Sequence, residues 1–123
     1  MSSYAQQVML SFKSDTAVIA VGSVVKNGSD NAHVAKSAAA TSLNIGIAQS
    51  ASAAAEDVIE VALPGGGAKG LAGGTWAMGD LLTSDGDGAL VVTTTPGNRY
   101  IAMAMEIAAT GDLASVHVVA GLI

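Results

Sequence analysis

From Val8 to Lys13 the chain alternates: Val8, Leu10 and Phe12 interleave with Met9, Ser11 and Lys13. That is the period-two pattern of a strand with one buried face. Residues 17–21 form a short β-branched run closed by Gly22. Ile59, Val61 and Leu63 alternate with Val58, Glu60 and Ala62 until Pro64 and Gly65 to Gly67 interrupt them. Leu90 to Thr95 is β-branched and stops at Pro96-Gly97. Further on, Ile101, Met103, Met105 and Ile107 fall on one face, with Ala102, Ala104 and Glu106 on the other. Val116 to Ala120 reads as the last strand, ending at Gly121. Short strands separated by Gly, Asp and Asn turns predict an all-β fold, a small β-barrel or sandwich. Ala51 to Asp57 alone has helix propensity, so at most one short helix is expected, too short to be stable by itself.

The pattern also repeats. Gly22 and Gly79 stand 57 residues apart, and the same gapless offset pairs Asp30 with Asp87, Ala32 with Ala89, Val34 with Val91, Ala51 with Ala108 and Val61 with Val118. Val24 and Val25 fall on Leu81 and Leu82, Ile45 on Ala102, and Ile59 on Val116. Two related β-units are expected, residues 20–63 and 77–120, joined by a Gly-rich linker at 64–76 within one domain, 20–123. Neither unit is large enough to bury a core alone. Residues 1–19 fall outside both units and are expected to form an N-terminal arm or an added strand.

Composition narrows the function. The 123 residues weigh 12.0 kDa and are 50% hydrophobic, yet only Tyr4, Phe12, Trp76 and Tyr100 are aromatic and only 12% are charged. A mean hydropathy of +0.50 in so small a chain implies apolar surface covered by neighbours. Without cysteine there is no disulfide, thiolate nucleophile or Cys-ligated zinc. A net charge of −5 and scattered Lys13, Lys26, Lys36, Lys69 and Arg99 argue against binding phosphate backbones. No apolar run approaches the ~18 residues of a membrane span, and Met1 to Gln7 lacks the basic start of a signal peptide.

Candidate chemistry is sparse. Gly65 to Gly70 contains Lys69, but no Ser/Thr and no helix follow, as a phosphate loop requires. Asp85 and Asp87 have alternate spacing, yet Asp-Gly is first of all a hairpin signal. His33 and His117 lack a nucleophile elbow and converging ligands, and read as surface or interface residues. Glu56, Asp57, Glu60 and Glu106 have too few aromatics around them to build a sugar cleft. No catalytic, cofactor or metal site is expected. Trp76 is either core filler between the units or an anchor at a subunit interface.

Several stretches carry a resemblance. They are Ile45-Gly-Ile-Ala-Gln, Val61-Ala-Leu-Pro-Gly-Gly-Gly-Ala-Lys-Gly-Leu, and Gly79-Asp-Leu-Leu-Thr-Ser-Asp-Gly-Asp-Gly. To these add Ile101-Ala-Met-Ala-Met-Glu-Ile-Ala-Ala-Thr-Gly-Asp and Val116-His-Val-Val-Ala-Gly. Over residues 20–121 the chain resembles the tailed-bacteriophage head-decoration, or capsid cement, proteins. The resemblance implies a compact, non-catalytic β-domain on the outside of an assembled phage head. Its partners would be the major capsid protein and copies of itself, as a homotrimer at local three-fold positions. Tyr4, Val8, Leu10, Phe12 and Trp76 are the expected interface residues, and deletion of 1–13 is expected to leave a folded domain that no longer binds heads. The alternative reading is a glycan-binding β-module on a virion or cell surface.

Overall fold

The computed structural model describes residues 8–15, 19–30, 32–41 and 44–123. Five short strands make up the first half: β1 (Met9–Ser14), β2 (Val24–Asn27), β3 (His33–Lys36), β4 (Asn44–Ala48) and β5 (Val58–Ala62), of which β1 and β5 fall on the predicted alternations. They close into a barrel of order β1-β3-β2-β4-β5. β1 completes the closure, running antiparallel to β5 from Met9 opposite Ala62 to Lys13 opposite Val58. On its other side it runs parallel to β3, with Lys13 beside His33 and Ser14 beside Val34. The second half forms β6 (Gly67–Leu71), β7 (Leu81–Ser84), β8 (Leu90–Val92), β9 (Arg99–Ala104) and β10 (Leu113–Leu122), a sheet of order β6-β10-β9-β7-β8.

The second sheet repeats the pairing of the first. Val24 lies opposite Ile47 as Leu81 lies opposite Met103. Val25 faces Lys36 as Leu82 faces Val92, and Lys13 faces Val58 as Leu71 faces Leu113. The parallel contact of Ser14 with Val34 returns as a bridge between Ala72 and Leu90. The Ile19–Ser52 bridge returns as Trp76–Ala108.

The recurring pairing begins with β1 and β6, ahead of residues 20 and 77. Residues 1–19, expected as an arm or an added strand, contain β1, and the expected linker at 64–76 contains β6, the strand that pairs in the same way. Glycine in β6 serves close packing: a Cβ on Gly70 would collide with the Leu90 side chain. The equivalences also slip. Asn27 opposite Val34 and Ser84 opposite Leu90 make Leu90, not Val91, the counterpart of Val34. In the same way Val61 matches Val116 rather than Val118. The turns differ in length by a residue or two, and a gapless comparison cannot see that.

The core has two parts. Ile19, Val25, Val34, Ala48, Ile59 and Val61 fill the barrel, with Phe12 packed against them. A second cluster joins the halves, setting Val24, Ile47 and Ala62 against Leu82, Ile101, Val116, Val118 and Trp76. Alanines at 68, 72, 102, 104, 108 and 114 line this cluster, and small side chains let the sheets come close. Main-chain bonds cross the junction: Val24 N–H donates to Gly88 carbonyl at 2.7 Å, Leu71 N–H to Gly22 at 2.9 Å and Arg99 N–H to Ala40 at 2.9 Å. Gln49 stands in for a strand at the edge of β6. Its amide accepts from Lys69 N–H at 3.1 Å and donates to Lys69 carbonyl at 3.0 Å.

Ala51 to Asp57 is not helical, and no helix occurs among the described residues. Ser52 is drawn into the bridge with Ile19, and Asp57 Oδ2 accepts from the N–H groups of Ala53 and Ala54 at 2.9 and 3.0 Å. These bonds close a tight turn where propensity alone favoured a helix. Of the strand expected at 17–21, Ala17 and Val18 lie outside the described residues, and Ile19 contributes only its bridge.

Candidate interaction surface

Of the N-terminal candidates, Tyr4 lies outside the described residues. Val8 and Leu10 are 42% and 53% exposed, whereas Phe12 turns inward against the barrel core. Val58 is also exposed, but it sits opposite Lys13, on the other face of the β1–β5 ladder from Leu10. Val58 therefore does not extend the exposed pair Val8 and Leu10.

Trp76 is buried in the shared cluster. It is only 5% exposed, and its indole N–H donates to Glu106 carbonyl at 2.9 Å. Its backbone exchanges both bonds with Ala108, at 3.1 and 3.3 Å. It is core filler in the shared cluster, held by the bridge that joins two loops. Those loops carry the most exposed large apolar side chains among the described residues, Met78 at 69% and Ile107 at 77%. They lie beside an open cleft of about 570 Å³ lined by Trp76, Ile107, Asp80 and Asp112. Periodicity assigned Ile107 to the same face as Ile101 and Met103. The β9 ladder ends at Ala104, however, so Ile107 leaves the sheet and its side chain stays in solvent.

His117 stands in β10 between Gly67 and Met103 with no side-chain hydrogen bond among the described residues, whereas several of the other candidates have local partners. Asp85 Oδ1 accepts from Asp87 and Ala89 N–H groups at 2.8 and 3.0 Å, closing the β7–β8 hairpin. Lys69 donates to Ser115 Oγ at 2.9 Å and lies 3.8 Å from Glu106. The Ser115 backbone N–H, 2.9 Å from Glu106 Oε2, is the main cause holding that carboxyl below its ordinary range, followed by the Ser115 side chain and Lys69. Glu60 accepts from Ser11 Oγ at 2.9 Å on the outer face. His33 sits between two carboxylates, Nδ1 at 2.7 Å from Asp30 and Nε2 at 2.8 Å from Glu56. Asp30 first and Glu56 second push its pKa up, and the His33 contact, with Ala32 N–H, lowers that of Asp30. Among the described residues no group of three or more His, Cys, Asp or Glu side chains is placed to hold a metal ion.

The phage cement protein family matches residues 4–120. The chain belongs to that family. Its fold recurs in the crystal structure of the head fiber gp8.5 N base of bacteriophage phi29, with a TM-score of 0.71. The two are 20% identical, over 92% of this chain and 94% of that one. No curated protein matches. Cement proteins are phage structural proteins, and in this one the exposed apolar residues, rather than a constellation of reactive groups, are the surface feature requiring explanation.

Proposed function

We propose that this cement-family chain is a non-enzymatic structural protein that binds the outer surface of an assembled phage head. There it joins neighbouring capsomers of the major capsid protein, as a homotrimer at local three-fold positions. The observation that carries the reading is the large apolar side chains left in solvent on the two bridged loops, Ile107, which lines the cleft, and Met78, in a family of structural proteins. Apolar surface of this kind is stabilised by being covered. Three linked copies engage the shell together, so modest single contacts add up to firm attachment.

Co-sedimentation of purified protein with undecorated heads tests the proposal. The wild type is expected to co-sediment and to saturate. A double variant, Met78→Ser with Ile107→Ser, is expected to melt at nearly the wild-type temperature, because both side chains are exposed, while binding heads at least about tenfold more weakly. Failure of the wild type to co-sediment overturns the reading.

A further inference from the structure

A second cleft, of about 380 Å³, lies where the start of β4 meets the paired ends of β9 and β10. Asn44, Arg99, Tyr100, Ala120, Gly121 and Leu122 line it. Both polar atoms of the Asn44 side chain are buried, and among the described residues neither has a hydrogen-bond partner. A buried, unpaired carboxamide is costly and uncommon in a folded protein. Beside it stands Arg99, the only arginine of the chain, which makes no ion pair among the described residues. The backbone of Arg99 is held on both sides, its N–H on Ala40 carbonyl and its carbonyl on Thr83 Oγ1 at 2.6 Å. The Tyr100 ring lies against the backbone of Gly121, where a Cβ would meet the ring directly. Leu122 is 62% exposed.

We infer that this cleft binds an extended acidic peptide segment of the protein on which the chain docks. The inference rests on the proposed attachment for the identity of that protein, but its chemistry stands on the cleft. A carboxamide offers one donor side and one acceptor side, and a peptide group offers their complement. The terminal torsion of asparagine is soft, so a small rotation turns the amide toward an incoming main chain. A guanidinium at the next position selects a carboxylate, which it binds by charge-assisted and often paired bonds. Tyr100 and Leu122 supply apolar contact for the stem of that residue. A lone water is a poorer occupant, since ordered buried waters typically need about 2–4 polar partners. A chain of net charge −5 repels an acidic segment elsewhere, so the single guanidinium also fixes where the segment seats.

The test uses Asn44→Ala and Arg99→Gln in the full chain, with two readouts. One is co-sedimentation with undecorated heads. The other is an NMR titration with an acetylated, amidated Ala-Glu-Ala-Ala peptide and its Gln counterpart. The Glu peptide is expected to shift the Asn44 side-chain and Tyr100 signals, and the Gln peptide to bind more weakly. Arg99→Gln is expected to lower head binding by about tenfold or more. Asn44→Ala is expected to melt no lower than the wild type, having lost no bond, and still to bind heads more weakly. If the wild type binds heads and both variants saturate them equally, the cleft is not the docking site, while the attachment reading stands. If no form binds heads, the attachment reading fails and the peptide titration alone decides the cleft. Absence of any shift with either peptide overturns it.

Discussion

Glu56 is the one non-glycine among the described residues with positive φ, at 72°. Its turn runs from Ala54, whose carbonyl accepts from Asp57 N–H at 3.3 Å. The turns at Ala77–Asp80 and Ala109–Asp112 close in the same way and put Gly79 and Gly111 at that position, with φ of 92° each. A side chain there is strained by roughly 1–2 kcal/mol, and what Glu56 does in return is reach His33. Protonated, His33 donates to both Asp30 and Glu56. Neutral, it has one N–H and must leave one carboxylate facing a lone pair. Other charges nearby are engaged: Asp15 accepts from Ser29, Asp57 caps its own turn, and Lys13 pairs with His33 only through the backbone. Because the folded pKa of His33 is raised, its contribution is complete below the unfolded imidazole value and is lost as pH rises through the raised one. Asp30, with a lowered pKa, contributes above its unfolded value and loses that contribution as pH falls through the lowered one. Thermal melts across pH should therefore show a stability plateau between these limits and a decline on the alkaline side that His33→Ala abolishes. Glu56→Gly should flatten the same decline while relieving the turn. An unchanged alkaline decline in either variant contradicts the assignment.

At the scale of the element, β1 decides what an N-terminal truncation does. Treated as an arm it is dispensable; as the strand that closes a barrel on β3 and β5 it is not. Removing residues 1–13 takes away all but Ser14 of β1, leaves the edges of β3 and β5 unpaired and uncovers the barrel core beneath Phe12. The truncated chain is expected to lose cooperative unfolding, read by circular dichroism melts, rather than to persist as a folded domain that fails to bind. β6 is tested more gently. Gly70→Val, placed against Leu90, is expected to lower stability by about 1–3 kcal/mol in urea titrations. A smaller effect at an exposed edge would indicate that β6 moves aside freely. The alternation in β1 was legible because Phe12 and its neighbours carry it in large side chains. β6 was not, because Gly67, Ala68 and Gly70 hide their alternation behind residues equally typical of a linker.

At the scale of the whole molecule, the halves share a core and cannot be independent. Val24, Ile47 and Ala62 of the barrel pack in the same cluster as Leu82, Ile101 and Val116 of the other sheet. Separation would expose them together, and a half of this size buries too little to stand alone. Calorimetry of the intact chain is expected to give one transition, with the van't Hoff enthalpy equal to the calorimetric one. Two resolved transitions would show that the shared cluster contributes little. The surface left outside that core, around Met78 and Ile107, is where the molecule has apolar area to offer a partner.

The all-β character and the recurrence of a residue pattern at an offset of 57 were determined by the order of residues, since alternation and composition are local properties. Which strands meet was decided only by tertiary structure. Pairing is a long-range property, and turns that differ by a residue shift every register behind them. Hence Val34 answers to Leu90, Trp76 goes into the core while Ile107 stays out, and Asn44 comes to stand beside Arg99. No alternation along the chain could announce those three outcomes, because each depends on a neighbour tens of residues away.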